Sequence, residues 1–505
     1  MKDTSKTLIL FFLAVALFTP VTGFAQSLPK EKALALRVVE DNRKAIALLG
    51  DSIFYFAELG MQEFESTKLM TEILEEAGFE IELGISGMPT AFMAVYGSGK
   101  PVIAIHTEFD TTPGNSQTPG VTEHKPLVEG APGHAEGHNV NAAVMIGAAF
   151  AVKKAMDEFN LAGTLKVFGA PAEEQLVSRP YFVRDGYFID VDLVFHPHIG
   201  SGLSTTYGLR QYALISAEFS FRGEAAHGSS PWRGRDALDA VELMDIGFDK
   251  AREHIEPTHR SHRVITYGGD QPNVIPDHAT IWWFFRERTA DKVRELFERA
   301  KKIAEGAALM TETTYSVNIL SGVWPTRANQ TLAETIQKNI ELVGMPEWAR
   351  QEQELTRELQ TKLNVEPVGL TTEISPLREG QQGASSNDSG DLTWVVPTGR
   401  LTFPSNISGI PGHHWAAGVI PATSIAHKGA VAGAKVLAAS VIDFLIDSGL
   451  VRKAKEKFQE EIAGVEFQSL LPADQEPPVD LNKDIMERYR PAMRKDYLKE
   501  RPQFK

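Results

Sequence analysis

Leu165-Lys166-Val167-Phe168-Gly169-Ala170-Pro171-Ala172-Glu173-Glu174 is an apolar run that ends in two adjacent carboxylates. It reads as a buried strand over 165–168 that empties into a loop. Helical periodicity flanks it, over 141–159 and 177–185. Similar apolar runs stand at 91–96, 102–105 and 193–195. Strands separated by helices imply a largely parallel sheet covered on both faces, an α/β fold. Such sheets place their chemistry beyond the carboxyl ends of the strands. The acidic pair stands at that address.

Outward from this core, residues 30–79 are helical in pattern, with apolar residues every three or four positions through 33–49 and 67–77. The pattern changes near Gln211. Residues 212–221 alternate as a half-exposed antiparallel strand. Helix 236–253, strands 263–266 and 278–285, helix 291–308 and strand 313–320 follow. That β-α-β-β-α-β order is a split α+β arrangement and reads as an inserted domain. After Trp324-Pro325 the α/β pattern resumes with helix 332–343. Residues 346–384 are highly charged, lack a strand signal and read as an exposed helix leading into a mobile loop at 380–386. The Pro-rich, charged tail reads as a surface arm. The expected organisation is a catalytic domain in two parts, 26–210 and 324–463, an inserted domain at 211–323 and an arm at 464–505.

The first 25 residues read differently. Lys2 and Lys6 precede an apolar run from Leu8 to Phe18, then Pro20 and the small-residue site Gly23-Phe24-Ala25. This is the pattern of a secretory signal peptide cleaved after Ala25. The run is shorter than the ~20 residues a bilayer span needs. An exported protein, periplasmic or secreted, is expected. No later segment reads as long and apolar enough to span a membrane. The chain has no cysteine, so disulfides and thiolate ligands are excluded and any metal is held by His, Asp and Glu. A formal charge of −15 argues against nucleic acid as a partner.

Three clusters of potential ligands follow strands or precede helices. His134-Ala135-Glu136-Gly137-His138-Asn139 alternates, so its side chains face one way on an extended loop. The motif alone is weak, because isolated His and Glu are usually solvated. Glu173-Glu174 repel one another, and a cation relieves this by taking one as ligand and leaving the other as base. An acidic first turn of the next helix is the plainer alternative. His196-Pro197-His198 closes the 193–195 strand with both imidazoles on one side. His413-His414 offers a further ligand near the carboxyl terminus. Ligand-type residues at three strand ends point to a metal site.

These motifs resemble the zinc-dependent amidohydrolase family that contains aminoacylases, carboxypeptidase G-type enzymes and amino-acid-conjugate hydrolases. The resemblance spans nearly the whole chain beyond the leader and includes Gly223-Glu-Ala-Ala-His227, Arg235-Asp-Ala-Leu-Asp-Ala-Val241 and Ser424-Ile-Ala-His427-Lys-Gly429. It implies a dinuclear metallopeptidase-type catalytic domain with an inserted dimerisation or lid domain. Two divalent ions are implied, zinc first, with manganese or cobalt as alternatives. Glu136, His138, Glu174, His198 and His413 fall on the ligand positions, with His196 the rival of His198. Glu173 falls on the general base. His227 falls on a residue that polarises the scissile carbonyl from the partner subunit of a homodimer. Asn273 and Arg286 fall on substrate-binding positions.

Two positions depart from the family pattern. The conjugate-hydrolase branch carries Cys where this chain has Glu136, a harder ligand that widens the choice of metal. In the segment His106-Thr-Glu108-Phe-Asp110, Glu108 stands where some branches place a ligand His, and Asp110 reads as a carboxylate that orients a ligand imidazole. The expected activity is metal-dependent hydrolysis of a small-molecule amide, an N-acyl amino acid or an aminobenzoyl-glutamate-like conjugate. A dipeptidase or carboxypeptidase on the same scaffold is the alternative, and a non-catalytic metal-binding protein ranks below both. No basic cluster stands near the ligands in sequence, which speaks against a phosphoesterase.

Overall fold

The computed structural model describes residues 28–505, so the signal peptide read at 1–25 lies outside them. Helices α1 (Lys30–Asp41), α2 (Arg43–Phe56) and α3 (Phe64–Glu76) lead into strands β1 (Glu80–Leu83), β2 (Phe92–Ser98) and β3 (Val102–Glu108). Helix α4 (His138–Phe159) crosses to β4 (Gly163–Ala170), and α5 (Ser178–Arg184) precedes β5 (Leu193–Gly200). With β13 (Thr398–Pro404) these strands form one six-stranded sheet in the order β1-β2-β4-β3-β5-β13. The four strands from β4 to β13 are parallel, whereas β2 is antiparallel to both β1 and β4. The sheet is therefore mixed and mostly parallel. A crossover as long as α4 permits parallel pairing, and the short β1–β2 connection permits only antiparallel pairing.

Every residue of β3 is buried. Helix α4 hides nearly its whole circumference, which is why its apolar residues show no clear stripe. Helix α11 (Ser424–Ile446) behaves likewise and corrects one expectation. It is long and apolar enough by composition to cross a membrane, yet most of it is buried inside the molecule. Its sides are covered by α1, α4, β13 and α8 (Gln330–Val343). A helix apolar all round satisfies both environments, and here the protein core is the one it occupies.

The inserted region has its own sheet and core. Strands β7 (Ala213–Arg222), β8 (Arg260–Tyr267), β9 (His278–Glu287) and β10 (Thr314–Val323) pair antiparallel in the order β10-β7-β9-β8. Helices α6 (Ala237–Ala251) and α7 (Ala290–Thr311) cover one face, over Phe219, Phe248, Trp283, Phe285 and Phe297. Both helices are capped by side chains, Asp236 and Thr289, that accept from first-turn amides. At the hinge, β6 (Thr206–Leu209) pairs with β11 (Arg327–Ala328) and β12 (Arg378–Glu379).

Two segments differ from their expected form. Helix α9 (Arg350–Lys362) is present in the charged stretch, but the loop after it is tied down. Gly383 N donates to Arg210 O (2.6 Å), Tyr212 N to Ser385 O (2.8 Å) and Gln382 Nε2 to Arg288 O (2.8 Å). The tail is more than a surface arm. Leu470 is buried in the inserted core, and Leu471 in the core that holds Phe168 and Phe182. Within α13 (Lys483–Met493), Met486 and Met493 pack with Ala57, Leu59 and Ala131. Most of its charged residues face outward between these anchors, while Arg490 pairs with the buried Glu58, and composition averages over all of them.

Candidate metal centre

Five segments deliver the side chains. β3 ends in Glu108, and the buried Asp110 follows. β4 leads to Glu173 and Glu174, flanked by Ala172 (φ 55°) and Leu176 (φ 61°). Left-handed backbone at residues with a Cβ is strained and persists where surrounding structure enforces it. Here Ala172 N donates to Glu63 Oε1 (2.9 Å), and Glu63 Oε2 accepts from Thr90 Oγ1 (2.7 Å). β5 carries His196 and His198. Gly137 (φ 85°) turns Glu136 and His138 into the same space at the start of α4. A Cβ there would lie 2.4 Å from Ile199 Cδ1. His413 (φ 54°) closes the site from the loop before Trp415.

The five residues matched to ligand positions converge, and Glu173 and Glu108 join them. Ligand atoms of Glu136, Glu174 and His413 lie within 4.8 Å of one another, as do those of Glu108, His138 and His198, and of His138, Glu173 and Glu174. His413 Nε2 stands 2.8 Å from Glu136 Oε1 and 3.3 Å from Glu174 Oε2. His138 faces Asp110 (3.4 Å), Glu136 (3.7 Å), Glu173 (3.9 Å) and Glu174 (3.9 Å). Both of its ring nitrogens are buried without a hydrogen-bond partner, as are Glu174 Oε1 and Asp110 Oδ1.

These orphaned atoms test whether the donor set fits cations, and it does. His198 Nδ1 lies 2.9 Å from Ile199 O. A carbonyl only accepts, so Nδ1 carries the proton and Nε2 presents its lone pair. That lone pair stands 3.3 Å from Glu108 Oε1, two acceptors face to face. Burial moves the local pKa values accordingly. His198 is lowered to about 4 by burial. Glu174 is raised to about 8 by burial, then by Glu136 and Asp110. Burial alone would lower His138, but the surrounding carboxylates, Asp110 and Glu136 first, raise it. Imidazoles and carboxylates suit zinc and its harder first-row neighbours.

His196 backs the ligand cluster from behind Glu108. Its Nε2 lies 3.0 Å from Glu108 Oε2, and its ring stacks on His106 at 4.4 Å. His134 points away, with Nε2 3.1 Å from Ile53 O. Beneath them the fully buried Arg179 pairs with both Glu108 and Asp388, and its Nε donates to His106 Nδ1 (2.9 Å). Asp110 reaches the site in two ways: Oδ1 faces His138, and Oδ2 accepts from Glu174 N (3.0 Å).

The sequence matches the model of peptidase family M20/M25/M40 over residues 104–359. It is 34% identical to a p-aminobenzoyl-glutamate hydrolase subunit of Escherichia coli (strain K12) across 84% of this chain and 93% of that protein. The chain belongs to peptidase family M20/M25/M40. It is a metallohydrolase acting on C–N bonds. The Xaa-Arg dipeptidase of Mus musculus is 27% identical across 65% of this chain and 74% of that protein. Among solved structures, a putative aminohydrolase from methicillin-resistant Staphylococcus aureus shares the fold with a TM-score of 0.58. It is 20% identical and covers 82% of this chain and 100% of that one.

In this M20 chain the ligand cluster opens into a cavity of about 630 Å³. Glu136, Glu173, Glu174, His198 and His413 line one side, and Arg210, Arg286 and Arg400 also line it. Glu173 Oε1 accepts from Asn387 Nδ2 (2.5 Å), and its other oxygen faces His138. Burial raises the Glu173 carboxyl well above the ordinary range. Arg286 thus reaches the cavity within one chain, whereas His227 and Asn273 are exposed on the inserted domain and do not line it. Their loops are joined, Gly228 N donating to Asn273 O (2.8 Å). Glu108, Asn387, Arg210 and Arg400 carry parts of the site that the sequence did not single out as ligands or substrate contacts. The basic groups absent near the ligands in sequence are assembled by the fold.

Proposed function

We propose that this protein hydrolyses the amide bond of N-acyl amino acids or aminobenzoyl-glutamate-like conjugates at a dinuclear metal site. The observation that carries the reading is Glu173, a buried carboxylate that lines the cavity beside the ligand cluster with one oxygen fixed by Asn387. Glu136, Glu174 and His413 would hold one ion, and His138, His198 and Glu108 the other. Such ions supply Lewis acidity, which makes water nucleophilic at neutral pH and polarises a carbonyl. Glu173 takes a proton from the attacking water and returns it to the leaving nitrogen. Asp110 orients His138. Asn387 holds the Glu173 carboxylate against rotation. Arg286 binds the substrate carboxylate, and its guanidinium geometry suits a two-point contact.

His227 and Asn273 complete the site from a second copy in a homodimer, where His227 hydrogen-bonds the carbonyl oxygen as charge develops on it. The likeness to the p-aminobenzoyl-glutamate hydrolase of Escherichia coli supports the choice of amide substrate. The test is a panel of aminobenzoyl-glutamate, N-acyl amino acids and dipeptides with Zn²⁺, Mn²⁺ or Co²⁺ added. Glu173→Gln is expected to lower kcat by about 10²–10⁴-fold or more while bound metal stays at the parental level. No turnover on any member of the panel overturns the reading. Metal lost together with activity in the variant overturns the role of Glu173.

A further inference from the structure

Three arginines line the reaction cavity and a fourth, Arg179, lies buried beneath its ligands, and their partners divide them sharply. Arg179, fully buried, is neutralised by Glu108 and Asp388. Arg210, Arg286 and Arg400 have no carboxylate within ion-pair distance among the described residues. Each uses one guanidinium nitrogen, and only toward a neutral group. Arg210 Nη1 donates to Thr206 Oγ1, Arg400 Nη1 to Gln211 Oε1 (3.0 Å), and Arg286 Nη1 meets His262 Nδ1 at 3.4 Å. The Nε atom of all three is buried without a partner.

Like charges are thus held together, half-buried, around one cavity. Burial and the charges of Arg400 and Arg378 lower Arg210 to about 10, which leaves it charged at neutral pH. The placement is enforced. Arg400 projects from β13 opposite His196, and the tied loop, through Gly383, pins the Arg210 backbone. Half-buried guanidinium groups with no carboxylate at ion-pair distance are best satisfied when an anion enters beside them. One carboxylate satisfies Arg286. The other two arginines then require a second.

We propose that Arg210 and Arg400 form a second carboxylate subsite that selects conjugates of dicarboxylic amino acids, with aspartate or glutamate as the leaving group. The proposal rests on the amidase reading for the identity of the bond cleaved, and only for that. It also separates this chain from a dipeptidase that releases arginine, because an arginyl side chain would enter a cavity already lined by three guanidinium groups.

The test pairs N-acetyl-glutamate with N-acetyl-glutamine, its neutral isostere. Binding is measured by titration calorimetry on zinc-loaded Glu173→Gln protein, and kcat/KM is measured for the N-benzoyl counterparts on the active enzyme. The glutamate compound is expected to be favoured about 10–100-fold, the range of a charge-assisted hydrogen bond. Arg210→Gln and Arg400→Gln should each collapse that ratio toward one. Equal affinity for the two compounds in Glu173→Gln overturns the proposal, and that comparison needs no arginine variant to fold. A ratio retained in both arginine variants also overturns it. Absence of turnover with the binding preference intact refutes the amidase reading and leaves the subsite standing. Turnover of both conjugates at equal kcat/KM does the reverse.

Discussion

At the scale of single residues, the centre depends on groups that touch no substrate. Arg179 is the clearest case, because it sits fully buried between Glu108 and Asp388. Removing one partner of a buried charge network leaves the others uncompensated, at a cost of about 3–5 kcal/mol. Arg179→Met is therefore expected to lower unfolding stability by that amount in denaturant titrations. Arg179→Lys should recover only part of it, since an ammonium cannot span both carboxylates as a guanidinium does. Parental stability in Arg179→Met would show that Glu108 and Asp388 find protons or other partners. The legibility of the site follows the same physics. The clusters holding Glu136, His138, Glu174, His198 and His413 stand out in sequence as ligand-type residues beside predicted strands or turns, and the family resemblance picks these five from their neighbours His134 and His196. Glu108 is hidden by its place in an apolar strand where a His is expected. Arg210, Arg286 and Arg400 are far apart in the chain, so their convergence exists only after folding.

At the scale of elements, local pattern serves helices and interior strands well and edges poorly. β3 and β4 are continuous apolar runs because both faces of the sheet are covered. β13 gives no such signal, because Thr398-Gly-Arg400-Leu-Thr-Phe-Pro404 mixes a charged residue that lines the cavity with a terminal proline. The tail misleads for a related reason. Trp324 Nε1 donates to Gln468 O (2.8 Å), Leu470 enters the inserted core, and Tyr181 Oη donates to Glu476 O (3.2 Å). Residues 468–476 therefore strap the inserted domain to the main sheet. Leu470→Ala and Leu471→Ala are each expected to cost about 2–5 kcal/mol, as buried leucines do. Leu470→Ala should preferentially raise amide exchange in β10, which it packs against at Gly322. Equal exchange across both domains in that variant would mean that the strap carries no domain-specific load.

At the scale of the whole molecule, the cavity of one chain is lined by Glu173 but not by His227 or Asn273. Both are exposed on the inserted domain, in loops tied by Gly228 N and Asn273 O. That domain also exposes Trp232, Val264, Ile265 and Val274 at 73%, 53%, 44% and 41%. Apolar exposure of this kind is what an interaction surface presents. If a second copy supplies His227, a dimer has two composite sites, each with Glu173 from one chain and His227 from the other. Two inactive chains should then complement. Glu173→Gln and His227→Ala, each expected to be inactive as homodimers, form mixed dimers in which one site holds both intact residues. Random co-assembly of equal amounts makes half of the dimers mixed, and about a quarter of parental activity should return. Sedimentation measurements on the parent should show dimers over the assay range. An inactive mixture, with mixed dimers verified by differential tagging, would place His227 outside the partner's site. High activity of His227→Ala alone would remove it from the reaction altogether.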